Sequence, residues 1–119
     1  MPDERRNIKR RKFGYYMRVT DNNTHELVGY LSDISPRGFK LDSQKPLTSN
    51  KEYTLRLDLT AEISNKSYIA FVARAMWVQP DPINPNEHNE GFQIVSISPN
   101  DQEIFQSIVE KYGTPESKW

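Results

Sequence analysis

Two short groups of residues carry the chemistry this chain could do. The first is Asp33-Ile34-Ser35-Pro36-Arg37-Gly38, which joins a strand-like run at Leu27–Leu31 to another at Phe39-Lys40-Leu41. Asp33 and Ser35 are two apart, so on extended chain they point to the same side. Gly38 lacks a Cβ, so the backbone there can turn through φ > 0 or approach a ligand closely. Pro36 fixes its own φ and biases Ser35 toward extended geometry. A corner carrying a carboxylate and a hydroxyl suits a flat ligand rich in N–H groups, such as a guanine edge. The same residues also make an ordinary β-turn for purely local reasons. The second group is the basic run from Arg5 to Lys12, which holds six Lys or Arg residues and no acidic one. Arg6 and Arg10 are four apart within it. Guanidinium is planar, always charged and rich in paired donors. It grips phosphate bidentately, reads the O6 and N7 edge of guanine, or stacks on a base. Such a run also reads as a solvated charge stretch or a nonspecific polyanion tail. Together, arginines on one side and Asp plus Ser on the other match a guanine nucleotide.

The elements that must position these groups are mostly strands. Residues 1–12 are polar, charged and without periodicity, and read as a flexible basic arm. From Gly14, Tyr15, Met17 and Val19 alternate with Tyr16, Arg18 and Thr20. Turn chemistry at Asp21–Thr24 precedes a second strand over Leu27–Ile34 and a short third over Phe39–Asp42. A loop over Gln44–Lys51 follows. Tyr53–Leu59 alternates with period two, so one face is buried and the other wet. Tyr68–Val78 is a long strand that sets Ile69, Phe71, Ala73, Ala75 and Trp77 on one face. Phe71, Trp77, Phe92 and Phe105 all read as core. Gln79–Asn89, with three prolines, reads as a connection too polar to bury. The last strand is Glu90–Ile97, with Phe92 and Ile94 inward. Ser98 then caps a helix that Pro99 opens, with Asp101 near its positive end. Ile104, Phe105, Ile108, Val109 and Tyr112 form its single apolar face, and Gly113 with Pro115 stops it. Short antiparallel strands followed by one amphipathic helix predict a mainly β protein, a six-stranded antiparallel β-barrel with one C-terminal α-helix. The expected divisions are an arm at 1–12, a barrel plus helix at 13–113 and a tail at 114–119.

Composition bounds the rest. A chain of 119 residues fits one domain, and 16 basic against 16 acidic residues leave no net charge, so only the distribution of charge is informative. With no cysteine there is no disulfide frame and no thiolate metal site. His25 and His88 lie in polar, loop-like sequence, which argues against a metal centre. No apolar run approaches the roughly 20 residues that span a bilayer, and no h-region follows the basic start. A soluble cytoplasmic protein is expected. No Cys nucleophile, histidine in a structured stretch or usefully spaced carboxylate pair supports an enzyme.

Arg6-x-x-x-Arg10 on an N-terminal arm, followed by Asp33-x-Ser35-x-x-Gly38, resembles the PilZ domain, a bacterial family of cyclic di-GMP receptors. The similarity continues through apolar Ile34, Met76-Trp77-Val78 and Glu90-Gly91-Phe92, and covers roughly residues 4 to 112. Only Arg6 and Arg10 fit the arginine register, since Arg5 pairs with Lys9 and Arg11 with Tyr15. The resemblance implies a PilZ-type barrel. It implies that Arg6 and Arg10 hold phosphate and guanine from the arm, that Asp33 and Ser35 hydrogen-bond guanine, and that Gly38 shapes the turn. Arg5, just before the pair, occupies the place that goes with a stacked ligand dimer. Arg37 reads as a solvent-facing turn residue. The basic continuation Arg11-Lys12 departs from the family's pattern, where the first strand is often already apolar. The implied function is a non-catalytic receptor whose arm orders on ligand and changes its contact with a separate, unidentified protein. It needs no cofactor or metal, and no nucleic-acid partner is expected. The alternatives are a small barrel binding single-stranded nucleic acid, with Tyr16 and Tyr68 as stacking platforms, and a PilZ-like module that has lost its ligand and binds only protein.

Overall fold

The computed structural model describes residues 17–112. Their strands are β1 (Arg18–Asp21), β2 (Leu27–Ser35), β3 (Gly38–Ser43), β4 (Glu52–Asp58), β5 (Tyr68–Pro80) and β6 (His88–Ile97), followed by helix α1 (Pro99–Tyr112). All pairings are antiparallel and close a barrel in the order β1-β2-β3-β6-β5-β4. This is the expected architecture. The expectations for residues 1–16, including the arm and the start of the first strand, lie outside the described residues, as does the tail from Gly113.

Alternation accounts for most of the barrel. In β4, Leu55 and Leu57 are buried and pair with Phe71 and Ile69 of β5, while their neighbours face outward. Phe39 of β3 stacks on Phe92 of β6 at 5.0 Å between centroids, and Phe71 meets Phe39 edge-on at 5.4 Å. Helix α1 closes one side of this core. Its Phe105 lies edge-on to Phe71 at 6.4 Å, and Ile108 and Val109 are buried beside it. Ser98 caps the helix by accepting the Asp101 amide at 3.3 Å. Asp101 does more than sit near the positive end of the dipole. It is buried, receives Lys66 Nζ at 2.5 Å and accepts the Ala70 amide at 3.2 Å, tying the helix to the start of β5. Because Ile104 and Tyr112 also pack against the core, the apolar face of α1 is largely consumed inside this domain.

The structure corrects three sequence expectations. The connection between the last two strands is shorter than Gln79–Asn89. Residues 79–80 and 88–89 pair within the β5–β6 ladder, and the loop between is held by Asp81, whose Oδ1 accepts the amides of Ile83 at 2.8 Å and Asn84 at 3.0 Å. Asp81 and Asn89 are buried, because capping and pairing supply the partners that make burial of polar groups tolerable. His88, read as a loop residue, opens β6. Trp77 does not line the core with Phe71 and Ala75. The ladder slips between Ala75 and Trp77, so Met76 is an extra residue and Trp77 pairs with Gly91. This bulge turns Trp77 to the outer face.

Candidate functional site

The β2–β3 corner depends on a similar slip. Leu31 pairs with Leu41, but the next pair is Asp33 with Lys40, leaving Ser32 as the extra residue. Leu31 and Ile34, three apart, therefore both point into the core. Residues directly opposite in an antiparallel pair share a face. Ile34 opposes the buried Phe39, so the flanking Asp33 and Ser35 stand together on the outer face, as their spacing predicted. Both are nonetheless buried, at 2% and 0% exposure. Asp33 Oδ1 accepts the Ile34 amide at 2.8 Å, and Ser35 Oγ donates to the Gly38 carbonyl at 3.4 Å. Both contacts are to the corner's own backbone.

Gly38 works differently from the expected turn residue. Its φ is not in the left-handed region; instead, a Cβ there would lie 2.0 Å from the Phe92 carbonyl oxygen. Glycine is needed so that β3 can begin in close contact with β6. The two-residue turn Pro36–Arg37 is exposed, and the Arg37 carbonyl accepts the Ile94 amide at 2.9 Å. Arg5, Arg6 and Arg10 lie outside the described residues, so the structure places only the Asp33, Ser35 and Gly38 half of the predicted site.

Sequence reasoning missed a neighbour of this corner. Asp33, Lys40, Gly91 and Trp77 oppose one another in turn across β2, β3, β6 and β5, so they form one row on the outer face. The Trp77 ring lies over Gly91, where a Cβ would come within 2.3 Å of it. Lys40 Nζ sits 5.9 Å from the ring centroid. A glycine inside a strand is the signal that something approaches its backbone closely, and here that is an indole.

A second polar group, missed for another reason, occupies the opposite end of β3 and β6. Glu90 shares the phase of Phe92 and points into the barrel, where it is fully buried. Its Oε2 is 2.5 Å from Ser43 Oγ, which is also 2.9 Å from the Lys45 carbonyl. Ser43 has one hydroxyl proton and cannot donate to both. A protonated Glu90 donating to Ser43, which donates to Lys45, satisfies all three. Burial pushes the Glu90 carboxyl from 4.5 up to about 7, and the Asp42 charge adds to the rise, while a Ser43 hydroxyl turned to donate to the ionised carboxylate opposes it. Glu90 Oε1 and His88 Nδ1 are buried with no hydrogen-bond partner among the described residues. Outside the barrel wall, Asn89, with its amide nitrogen turned toward the carboxylates, donates to Asp42 at 2.8 Å and Asp81 at 3.3 Å. Among the described residues, no His, Cys, Asp and Glu group is arranged to hold a metal ion, and no helix is long and apolar enough to cross a membrane.

A closed six-stranded barrel with a C-terminal helix, carrying an Asp–Ser pair on an outer corner, defines the class. A model of the PilZ domain matches residues 4–111, and the chain belongs to that family. Among solved structures, it resembles the PilZ domain of YcgR from Escherichia coli, a structure with c-di-GMP. That match has 15% identity and a TM-score of 0.59, and covers 82% of this chain and 80% of that one. It also resembles the Bacillus subtilis inhibitor of motility MotI/DgrA, at 17% identity and a TM-score of 0.64. That match covers 81% of this chain but only 46% of MotI/DgrA. At these identities the likeness is one of fold. No curated protein sequence matches the chain.

Proposed function

We propose that this chain is a non-catalytic cyclic di-GMP receptor that acts on a separate protein. The observation that carries the reading is the paired presentation of Asp33 and Ser35 on the outer corner of a PilZ barrel. An ionised Asp33 accepts from guanine N1–H and N2–H, and Ser35 supplies a further polar contact. Arg6 and Arg10 fall within the span matched by the family and supply phosphate and guanine contacts from the arm. Arg5 adds a contact to a second, stacked ligand molecule. Ligand neutralises the arginines, the arm orders over the corner, and the altered surface is what the partner protein reads. The ordering offsets part of the contact energy, so affinity is lower than the contacts alone imply.

The nucleic-acid reading loses one of its stacking platforms. Arg56 already covers the Tyr68 ring, with its guanidinium carbon 3.6 Å from the centroid.

Titration calorimetry with cyclic di-GMP tests the proposal. Wild type is expected to bind with a dissociation constant below tens of micromolar, and Arg10→Ala to weaken binding by about ten-fold or more. Absence of wild-type binding in that range, or an Arg10→Ala variant that binds equally well, ends the receptor reading.

A further inference from the structure

The loop over residues 44–51 crosses one mouth of the barrel, because it joins β3 to β4, which stand on opposite sides of the closed strand order. Leu47 packs from it onto the core. Its far end is tied down twice. The Thr48 amide donates to the Tyr53 hydroxyl at 2.9 Å, and the Asn50 amide donates to the Ala75 carbonyl at 2.6 Å. At its near end, the Ser43 hydroxyl reaches the Lys45 carbonyl at 2.9 Å.

That hydroxyl has a second claimant in Glu90, whose Oε2 is 2.5 Å away. The Ser43 backbone has little room to adjust between the two. It pairs with His88 in the β3–β6 ladder, and β2 packs against its other side through Gly29, where a Cβ would meet Ser43 Cβ at 3.3 Å. What remains free is rotation of the hydroxyl, so its one proton points to Glu90 or to Lys45. The charge of Glu90 decides which. A neutral carboxylic acid donates to Ser43 Oγ and leaves the hydroxyl proton for Lys45. A carboxylate only accepts, and as the charged acceptor it makes the stronger bond. Lys45 is exposed, so its released carbonyl takes water in exchange. The fully buried carboxylate has no such substitute.

We propose that Ser43 is a two-position switch that couples a proton on Glu90 to the seating of the 44–51 loop. With Glu90 protonated, the loop is tied to the barrel at Lys45. With Glu90 ionised, Ser43 turns to the carboxylate and the near end of the loop is released. Burial and the Asp42 charge raise the carboxyl to about 7, so the tie is present below that pH and is lost as pH rises through it. The surrounding groups are few. On the same strand, His88 faces the same mouth. β3 and β5 set Leu41 and Val78 opposite Glu90, and neither ionises. β4 sends in Tyr53, whose hydroxyl is engaged by the loop. Asp42 and Asp81 flank Asn89 outside the wall. On the loop itself, Lys45 is exposed and Lys51 lies over the Tyr53 ring at 5.3 Å. The device does not rest on the cyclic di-GMP reading.

Carbon-detected magnetic resonance on the isotopically labelled full chain reads both ends of the switch, since Pro46 has no amide proton through which to observe the Lys45 carbonyl. From pH 5 to pH 9, the Glu90 Cδ and Lys45 carbonyl shifts are expected to move together with a midpoint of about 7. Over the same range the Thr48 and Asn50 amides should lose about three- to ten-fold in exchange protection, the equivalent of one hydrogen bond. Glu90→Gln should hold the Lys45 shift flat at its low-pH value. Ser43→Ala should leave Glu90 titrating while Lys45 stays flat at its released value. His88→Gln should keep the joint titration. A Lys45 carbonyl that does not move while Glu90 titrates overturns the proposal, as does a Lys45 titration that survives in Ser43→Ala. So does a wild-type Glu90 that titrates in the ordinary carboxylate range. Loss of the Lys45 titration in His88→Gln would give the switch to the histidine instead and equally overturn it. If Glu90→Gln does not fold, the wild type and Ser43→Ala decide the matter.

Discussion

Replacing Glu90 by Gln should change how the stability of this protein depends on pH. Glutamine matches glutamate in shape and can donate to Ser43 Oγ as the protonated acid does, but it cannot ionise. In the wild type, the folded carboxyl holds its proton up to about 7, against 4.5 for the ordinary group. Between those values the folded chain keeps a proton that the unfolded chain has released. The stability contributed by this group is therefore complete below 4.5, falls as pH rises, and is gone above about 7. At about 1.4 kcal/mol per unit, the loss between pH 5 and pH 8 is on the order of 2–3 kcal/mol. Urea unfolding of wild type and Glu90→Gln at pH 5, 6, 7 and 8 measures it, and the difference between the two curves cancels the other carboxylates. The variant should gain roughly 2–3 kcal/mol on the wild type across that range. Curves that stay parallel within about 0.5 kcal/mol would refute a proton on Glu90 and the Glu90–Ser43–Lys45 relay inferred from the single hydroxyl proton.

Two further substitutions test the outer face and the helix anchor. Gly91→Ala puts a Cβ 2.3 Å from the Trp77 ring, so the indole must swing away. With Trp119 changed to Phe as background, Trp77 emission should shift to the red and stability fall by about 1–3 kcal/mol in denaturant unfolding. Asp101→Ala removes the acceptor of the Ala70 amide and the partner of Lys66. It should cost about 1–3 kcal/mol by thermal circular dichroism, most of it from the Ala70 amide, since Lys66 is 44% exposed and its ion pair is screened. Asp101→Asn, which retains an acceptor, should recover part of the loss.

What the chain revealed in advance, and what it hid, follows from where the strands slip. A period-two reading is correct as long as the pleat is uninterrupted, which holds for β4 and for β5 from Ile69 to Ala75. Each bulge resets the phase. Asp33 and Ser35 were placed on one side correctly because both follow the Ser32 insertion, and their mutual spacing is all that mattered. Trp77 was assigned to the core because the phase was carried through Met76. The helix was legible from its cap to Tyr112, because its cap, first proline and apolar stripe are local signals.

Glu90 is a different case. Its inward orientation follows from the phase of Phe92 without any correction, yet the expectation that acidic residues face water hides it. Burial there favours the neutral acid with a nearby hydroxyl, and Ser43 lies on the adjacent strand two positions from the buried Leu41. The bulges also explain how one small barrel combines a dry interior with a chemically equipped exterior. Without the extra residue at Ser32, the alternation that carries Leu31 inward would put Asp33 inward as well and turn Ile34 out. The insertion leaves Ile34 in the core and sets Asp33 and Ser35 outside. The Met76 insertion likewise brings Trp77 onto the same outer row, and the Val95 insertion leaves an apolar side chain exposed. The elements that obscure the site in the sequence are thus the ones that build it.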